Sequence, residues 1–201
     1  MRAAAPTVLA AATLALAGCA TAGLRPPSSV VERAAAARSY SGRLRVTLRG
    51  PDLRGRTAVL LGFRRPGALR IEIPGPAGAR LLAVARDDEL VAVFPGERAV
   101  FRGPATAAGL FDLLGIALSP AEVMDLLLGT PSPRVRDYRA RWGPALPREL
   151  RATLPDGGRL KATVETATLD ADLPEEAFAE PPHEGYRAID AAEARRLWGA
   201  R

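Results

Sequence analysis

The sequence is poor in the residues that most often carry out chemistry or cross-link a chain. It contains one cysteine, Cys19, and one histidine, His183, among 201 residues. A single cysteine excludes an intramolecular disulfide and a cysteine-based metal site. The sequence also lacks Gly-x-Ser-x-Gly, phosphate-loop and His-Glu-x-x-His motifs. His183 stands beside two prolines with no nearby nucleophile, so we expect a surface residue, no enzyme activity, and no cofactor or metal.

Lysine is nearly absent, and aromatic residues make up only 5% of the chain. Lys161 is the sole lysine among 28 basic residues, and the net charge is +6. The arginines are spread along the chain and alternate with apolar residues, without the basic stripe that a nucleic-acid surface needs. We therefore expect no nucleic-acid partner. Solvated strand faces explain the arginines best, with a mild attraction to anionic headgroups as the alternative.

No apolar run is long enough to cross a bilayer, which takes about 20 residues. The longest near the N-terminus, Thr7 to Ala17, follows Arg2 and precedes small residues, as in a secretory signal peptide. The four residues Leu16-Ala17-Gly18-Cys19 resemble a bacterial lipobox, which implies cleavage before Cys19 and lipidation of its thiol. The alternative is an ordinary signal peptide with an incidental cysteine. We predict a lipoprotein signal peptide over residues 1–18.

Lipidation of Cys19 predicts how the protein is held. Each buried methylene contributes about 0.8 kcal/mol, so two or more acyl chains anchor a protein firmly. Ala20 follows the cysteine, where an aspartate retains lipoproteins at the inner membrane of enteric-type bacteria. By that resemblance we expect the outer membrane, with the protein facing the periplasm. Residues 19–29 are small residues and prolines, which predict a flexible tether.

From residue 43 onwards, apolar residues recur with a period of two. Leu44, Val46 and Leu48 alternate with arginines and a threonine, which is typical of a half-buried strand. Similar patterns separated by turns of two to six residues continue to Arg102 and resume after residue 135. Asp87-Asp88 and Pro95-Gly96 are expected to form turns between strands. The pattern predicts an antiparallel meander.

The segment 105–129 breaks this pattern and predicts two short helices. Ser119, Pro120 and Glu122 begin the second one as N-cap, first-turn proline and capping box, and Gly129 ends it. This insert is the only segment apolar enough to cover the inner face of a sheet. We therefore predict an α+β, mainly β, domain over residues 30–201. Its curved antiparallel sheet forms an unclosed barrel with a helical lid or plug.

This layout resembles the LolA/LolB lipoprotein-localisation family. The resemblance rests on the order of a lipobox, a strand meander, an insert of short apolar helices, further strands, and the ending Phe178-Ala179-Glu180-Pro181-Pro182. It implies an apolar hollow that accepts acyl chains of lipoproteins or lipids, and a receptor that takes cargo from a soluble periplasmic carrier. The rival hypothesis is a structural lipoprotein of an envelope assembly, whose core is filled.

The predicted acyl-binding residues are the apolar side chains of the inner sheet face and the helical insert. They are Val46, Leu61, Phe63, Ile71, Phe94, Phe111, Leu113, Leu114, Met124 and Leu127. The same residues could instead form an ordinary closed core. The chain departs from the resembled receptor, which has a protruding loop with a large aliphatic tip. The corresponding stretch, Pro74 to Ala79, holds only Pro, Gly and Ala, so we expect slow or partner-dependent delivery of cargo to lipid.

Overall fold

The computed structural model describes residues 26–50 and 54–199. A helix α1 (Ser28–Ala36) is followed by six strands: β1 (Ser39–Arg49), β2 (Arg54–Arg64), β3 (Ala68–Gly75), β4 (Gly78–Arg86), β5 (Glu89–Phe94) and β6 (Ala99–Pro104). Two helices come next, α2 (Ala107–Leu114) and α3 (Pro120–Leu128). Strands β7 (Arg136–Trp142), β8 (Pro147–Thr153) and β9 (Arg159–Leu169) then precede a short β10 (Arg187–Ile189) and helix α4 (Ala191–Gly199).

All ten of these strands belong to one sheet, in the order β10-β6-β5-β4-β3-β2-β1-β9-β8-β7. The first and last strands in this order are not paired with each other, so the sheet is not closed into a barrel. Strand β1 lies near the middle because it pairs with both β2 and β9. The predicted fold class, a mainly β α+β domain with an unclosed sheet and helices, is confirmed. One detail differs from a purely antiparallel sheet, since β10 pairs with β6 in parallel.

The turns follow the residues that the sequence places there. Asp87 and Asp88 have φ values of 49° and 67° and join β4 to β5 in a two-residue turn, which matches the twist of the flanking strands. The stretch Pro74 to Ala79 was expected to be a loop, and that expectation is wrong. Strands β3 and β4 stay paired up to Gly75 and Gly78, so only Pro76 and Ala77 form the turn.

Helices α2 and α3 begin and end at capping residues. Thr106 and Ser119 are their N-caps, and Gly115 and Gly129 end them in the left-handed conformation. The predicted capping box at α3 is confirmed, since the Ser119 and Glu122 side chains each accept a hydrogen bond from the other residue's backbone N–H. A Cβ at Gly109 would lie 1.9 Å from the carbonyl oxygen of Pro104. Glycine there lets α2 turn back closely against the end of β6.

The core lies between the inner face of the sheet and these helices. Leu44 and Leu48 of β1 point into it, as do Leu113 of α2 and Met124 of α3, and each is at most 3% exposed. Leu44 and Leu48 are buried, Val46 is half-buried, and Arg43, Arg45 and Arg49 are exposed, which is the outcome that the alternating sequence of this stretch predicts. No helix within the described residues is long and apolar enough to span a membrane.

Candidate apolar binding site

An apolar cavity of about 80 Å³ lies between the inner face of the sheet and the helices. Its sheet wall comes from β1, β2, β3 and β9, and its opposite wall from α2, α3, the connection between them, and α4. Every lining residue is apolar: Leu44, Val46, Leu48, Val59, Leu61, Ile71, Ile73, Leu110, Leu114, Ile116, Leu118, Val123, Leu126, Leu127, Leu160, Ala162 and Trp198.

Strand register brings the sheet wall together. Leu44 lies opposite Val59 across the β1–β2 ladder, and Val46 lies opposite Ala162 across the β1–β9 ladder. Leu61 in turn lies opposite Ile71 across β2 and β3. Paired residues of neighbouring strands share a face, so one register across four strands builds a continuous aliphatic wall.

Helix α3 is held over this wall by polar contacts at both of its ends. Glu122 accepts hydrogen bonds from the Ser119 backbone (2.9 Å) and the Ser132 hydroxyl (2.9 Å), and it pairs with Arg134 (3.2 Å). Burial, the largest single influence, raises the pKa of Glu122, but these contacts together outweigh it and lower that pKa below its ordinary value. The Tyr138 hydroxyl donates to the Leu126 carbonyl (3.3 Å), and burial raises the pKa of Tyr138.

Helix α4 closes the site with Trp198. The Trp198 carbonyl accepts a hydrogen bond from Arg80 of β4 (2.7 Å), whose guanidinium carbon lies 5.4 Å from the centre of the indole ring. On the previous turn, the guanidinium carbon of Arg195 lies 5.4 Å from the centre of the Phe111 ring of α2. The same guanidinium forms a long ion pair with the Asp112 carboxylate, 3.7 Å between nitrogen and oxygen. The buried Trp198 Nε1 has no hydrogen-bond partner among the described residues. Burial of an unpartnered donor costs about 1–3 kcal/mol, so the burial of this Nε1 carries an energetic penalty.

Five of the predicted acyl-binding residues line the cavity. Val46, Leu61 and Ile71 contribute from the sheet, and Leu114 and Leu127 contribute from the helices. The other five lie outside its lining. Phe63, Phe94, Leu113 and Met124 are buried in the surrounding core, whereas Phe111 of α2 is half-buried, with the Arg195 guanidinium over its ring. Cys19, the predicted lipidation site, lies outside the described residues.

Sequence reasoning missed other lining residues, and Trp198 is the most important of them. The alternation of β1 already placed Leu44 and Leu48 on the same face as Val46, so that signal was available. No local pattern indicated Trp198, because its position depends on α4 packing back onto α2. His183, which was predicted to be a surface residue, is half-buried, with its Nε2 3.1 Å from an Arg102 nitrogen and 3.4 Å from a Glu180 oxygen.

The cavity contains no nucleophile, acid or base, since its lining is aliphatic except for one indole. Elsewhere in the described part of the chain, no three His, Cys, Asp or Glu side chains are grouped so that they could hold a metal ion. What the cavity offers is burial of an apolar ligand.

No protein-family model matches the sequence, and no curated protein matches it. The fold is similar to that of an uncharacterized conserved protein from Thermus thermophilus, with 10% identity, a TM-score of 0.44, and coverage of 81% of this chain and 97% of that one. It is also similar to a LolA superfamily protein from Nitrosomonas europaea, with 11% identity, a TM-score of 0.44, and coverage of 76% and 97% respectively.

Proposed function

We propose that this protein is a lipid-anchored lipoprotein of the outer membrane that faces the periplasm and binds acyl chains. In this proposal it serves as a receptor or chaperone for other lipoproteins or lipids. The observation that carries the proposal is the cavity between sheet and helices, whose lining is wholly apolar. Apolar cavities stay dry and accept apolar ligands, and burial of each ligand methylene contributes about 0.8 kcal/mol. Binding therefore needs no cofactor and no covalent chemistry.

Acyl binding requires the site to open. An engineered apolar cavity of about 150 Å³ accommodates benzene. The cavity of about 80 Å³ is therefore too small for an acyl chain, which is larger than benzene. Helix α4 is the element best suited to move. Its Trp198 indole lies in the cavity lining, and the buried Nε1 has no hydrogen-bond partner among the described residues. Displacing the indole would lengthen the cavity and free that donor for water.

The anchor and the partners complete the proposal. Residues 16–19 read Leu-Ala-Gly-Cys, and acyl chains on Cys19 would hold the protein on its membrane while the domain faces the periplasm. A soluble periplasmic carrier is the proposed donor of cargo. Ala77, at the tip of the β3–β4 turn, is exposed but small. Because a Leu-sized side chain gains roughly 1.5–3 kcal/mol on burial and alanine far less, we propose that delivery into lipid depends on a partner.

Filling the cavity tests acyl binding directly. Ala162 lines the cavity on β9 and is 1% exposed, so Ala162→Leu should occupy the empty space and weaken binding of a fluorescent fatty-acyl probe at least tenfold. The matched control is Ala152→Leu, because Ala152 is 5% exposed on the adjacent β8 and lies outside the cavity lining. If Ala162→Leu folds and binds the probe as tightly as the wild type does, the cavity is not the binding site.

The second candidate is a structural lipoprotein with a filled core. The small size of the cavity, about 80 Å³, favours it, as does the position of β7 as an edge strand of the sheet. It predicts that the wild-type protein binds no acyl probe at all. It also predicts that Ala162→Leu raises stability, because the added methyl groups fill a void without displacing a ligand.

A further inference from the structure

The two halves of the outer sheet face differ in what covers them. The segment after β9 crosses the half formed by β3, β4, β5 and β6. Phe178 of this segment is 1% exposed, and the guanidinium carbon of Arg64 lies 5.1 Å from the centre of its ring. Tyr186 packs on the valines of β5 and β6. This segment also supplies acidic partners, since Glu175 pairs with Arg86 (2.6 Å) and Glu180 pairs with Arg102. Arg86 and Arg102 are therefore neutralised by this segment of the chain.

The half formed by β2, β1, β9, β8 and β7 carries a row of basic residues. The register aligns Arg56, Thr47, Lys161, Arg151 and Arg139 across these five strands in succession. Arg49 and Arg159 are paired with each other one step along the same strands. Since neighbouring strands lie about 4.8 Å apart, the row extends roughly 20 Å across the sheet. We call the basic residues named in this paragraph, together with Arg45, the basic face.

The basic face surrounds an open groove of about 700 Å³. Its only acidic lining residue is Asp137, which accepts a hydrogen bond from Thr153 at 3.0 Å. Glu149 pairs with Arg151 (3.0 Å) and Lys161 (3.5 Å), and Glu165 pairs with Arg45 (2.7 Å). The remaining cations have no acidic partner among the described residues; they are Arg49, Arg56, Arg139 and Arg159.

We propose that the basic face docks on an anionic lipid surface and orients the domain on its membrane. The face spreads across five strands in two dimensions, which suits an array of lipid phosphates. No aromatic side chain lines the groove, so the face lacks the stacking platforms on which single-stranded nucleic acids are bound. Each Lys or Arg near an anionic membrane contributes to binding, and the attraction decays within a Debye length. The charges that drive docking line the groove and not the apolar cavity, so docking needs no acyl ligand.

Vesicle flotation tests this proposal with the full chain carrying Cys19→Ala, so that no acyl anchor contributes. Vesicles of phosphatidylcholine with phosphatidylglycerol should bind the protein, vesicles of phosphatidylcholine alone should bind it far less, and added salt should abolish the difference. The triple variant Arg56→Gln, Arg139→Gln, Arg159→Gln should lose on the order of a hundredfold in affinity for the anionic vesicles.

The matched control is Arg33→Gln, Arg38→Gln, Arg196→Gln, which removes three exposed arginines outside the basic face. Both triple variants lower the net charge equally, and their circular dichroism and melting temperatures establish folding. Equal losses by the two variants would mean that only net charge matters and would overturn the proposal. Wild-type protein that ignores anionic vesicles yet binds an oligonucleotide or an acidic protein through the same three arginines would also overturn it, because the occupant would be different.

Discussion

At the scale of single residues, Trp198 forms part of the wall of the apolar cavity. It is the one lining residue that α4 contributes among the described residues, and Arg80 holds both its carbonyl and its ring. The second tryptophan of the chain, Trp142 on β7, packs at Gly129, where a Cβ would lie 2.3 Å from its ring. The two tryptophans thus have different roles, one at the cavity and one against the end of α3.

We expect Trp198→Ala to let a fluorescent fatty-acyl probe enter several times faster than it enters the wild type. The reason is that the indole occupies part of the cavity wall and must move before a chain longer than the cavity can bind. Stopped-flow fluorescence measures the association rate. Trp142→Ala is the control, since Trp142 lies outside the lining. Equal association rates for the wild type and Trp198→Ala would show that the ligand enters elsewhere.

At the scale of elements, α3 depends on the contacts of Glu122. Its carboxylate closes the capping box with Ser119 and also meets Ser132 and Arg134. Because its pKa is lowered in the folded protein, Glu122 stabilises the fold above the ordinary carboxyl pKa of 4.5. That stabilisation is lost as the pH falls through the lowered folded value.

We expect Glu122→Gln to lower the free energy of unfolding at neutral pH by up to about 1 kcal/mol. Glutamine can still close a capping box, so the loss reports the charged contacts. Urea unfolding at several pH values measures it, and the gap between variant and wild type should shrink below pH 4.5. Glu97→Gln, at an exposed position, is the control. A gap that stays constant down to the acid limit would rule out the charge as its cause.

At the scale of the whole molecule, the apolar cavity, the basic face and the proposed acyl anchor on Cys19 together would determine how the protein meets a membrane. The apolar cavity is on the inner face of the sheet, and the basic face is on the outer face of β2, β1, β9, β8 and β7. A domain that docks through the outer face would keep the inner face with its helices away from the lipid headgroups. The side of the domain that carries the cavity would then remain accessible to cargo that arrives from the periplasm.

We expect Cys19→Ala to abolish incorporation of labelled fatty acid and firm membrane anchoring. Several acyl chains hold a protein far more tightly than a row of surface charges does. Fractionation of cells into membrane and periplasmic fractions, in low and high salt, separates the two contributions. Residual membrane association of the variant should disappear in high salt. Continued fatty-acid incorporation by Cys19→Ala would refute lipidation at this residue.

The sequence alone determined the buried face of β1 and the ends of α3. Alternation in Leu44, Val46 and Leu48 assigned one side of β1 to the core, because side chains in a strand alternate between faces. Ser119, Glu122 and Gly129 marked the ends of α3, because capping satisfies backbone groups within a few residues of each other. Such contacts are local, so their residue types suffice to predict them.

Only the tertiary structure decided which residues meet across the sheet. Thr47 and Lys161 are paired although more than a hundred residues separate them in the chain, and a shift of one residue would send Lys161 to the core face. The arginines look evenly spread in the sequence, yet this register gathers them into the basic face. Trp198 likewise reaches the cavity only through the packing of α4. Alternation predicts arginines on the solvated strand faces, but long-range pairing and packing depend on the whole chain, which explains why neither their concentration on one half of the outer face nor the position of Trp198 was predicted.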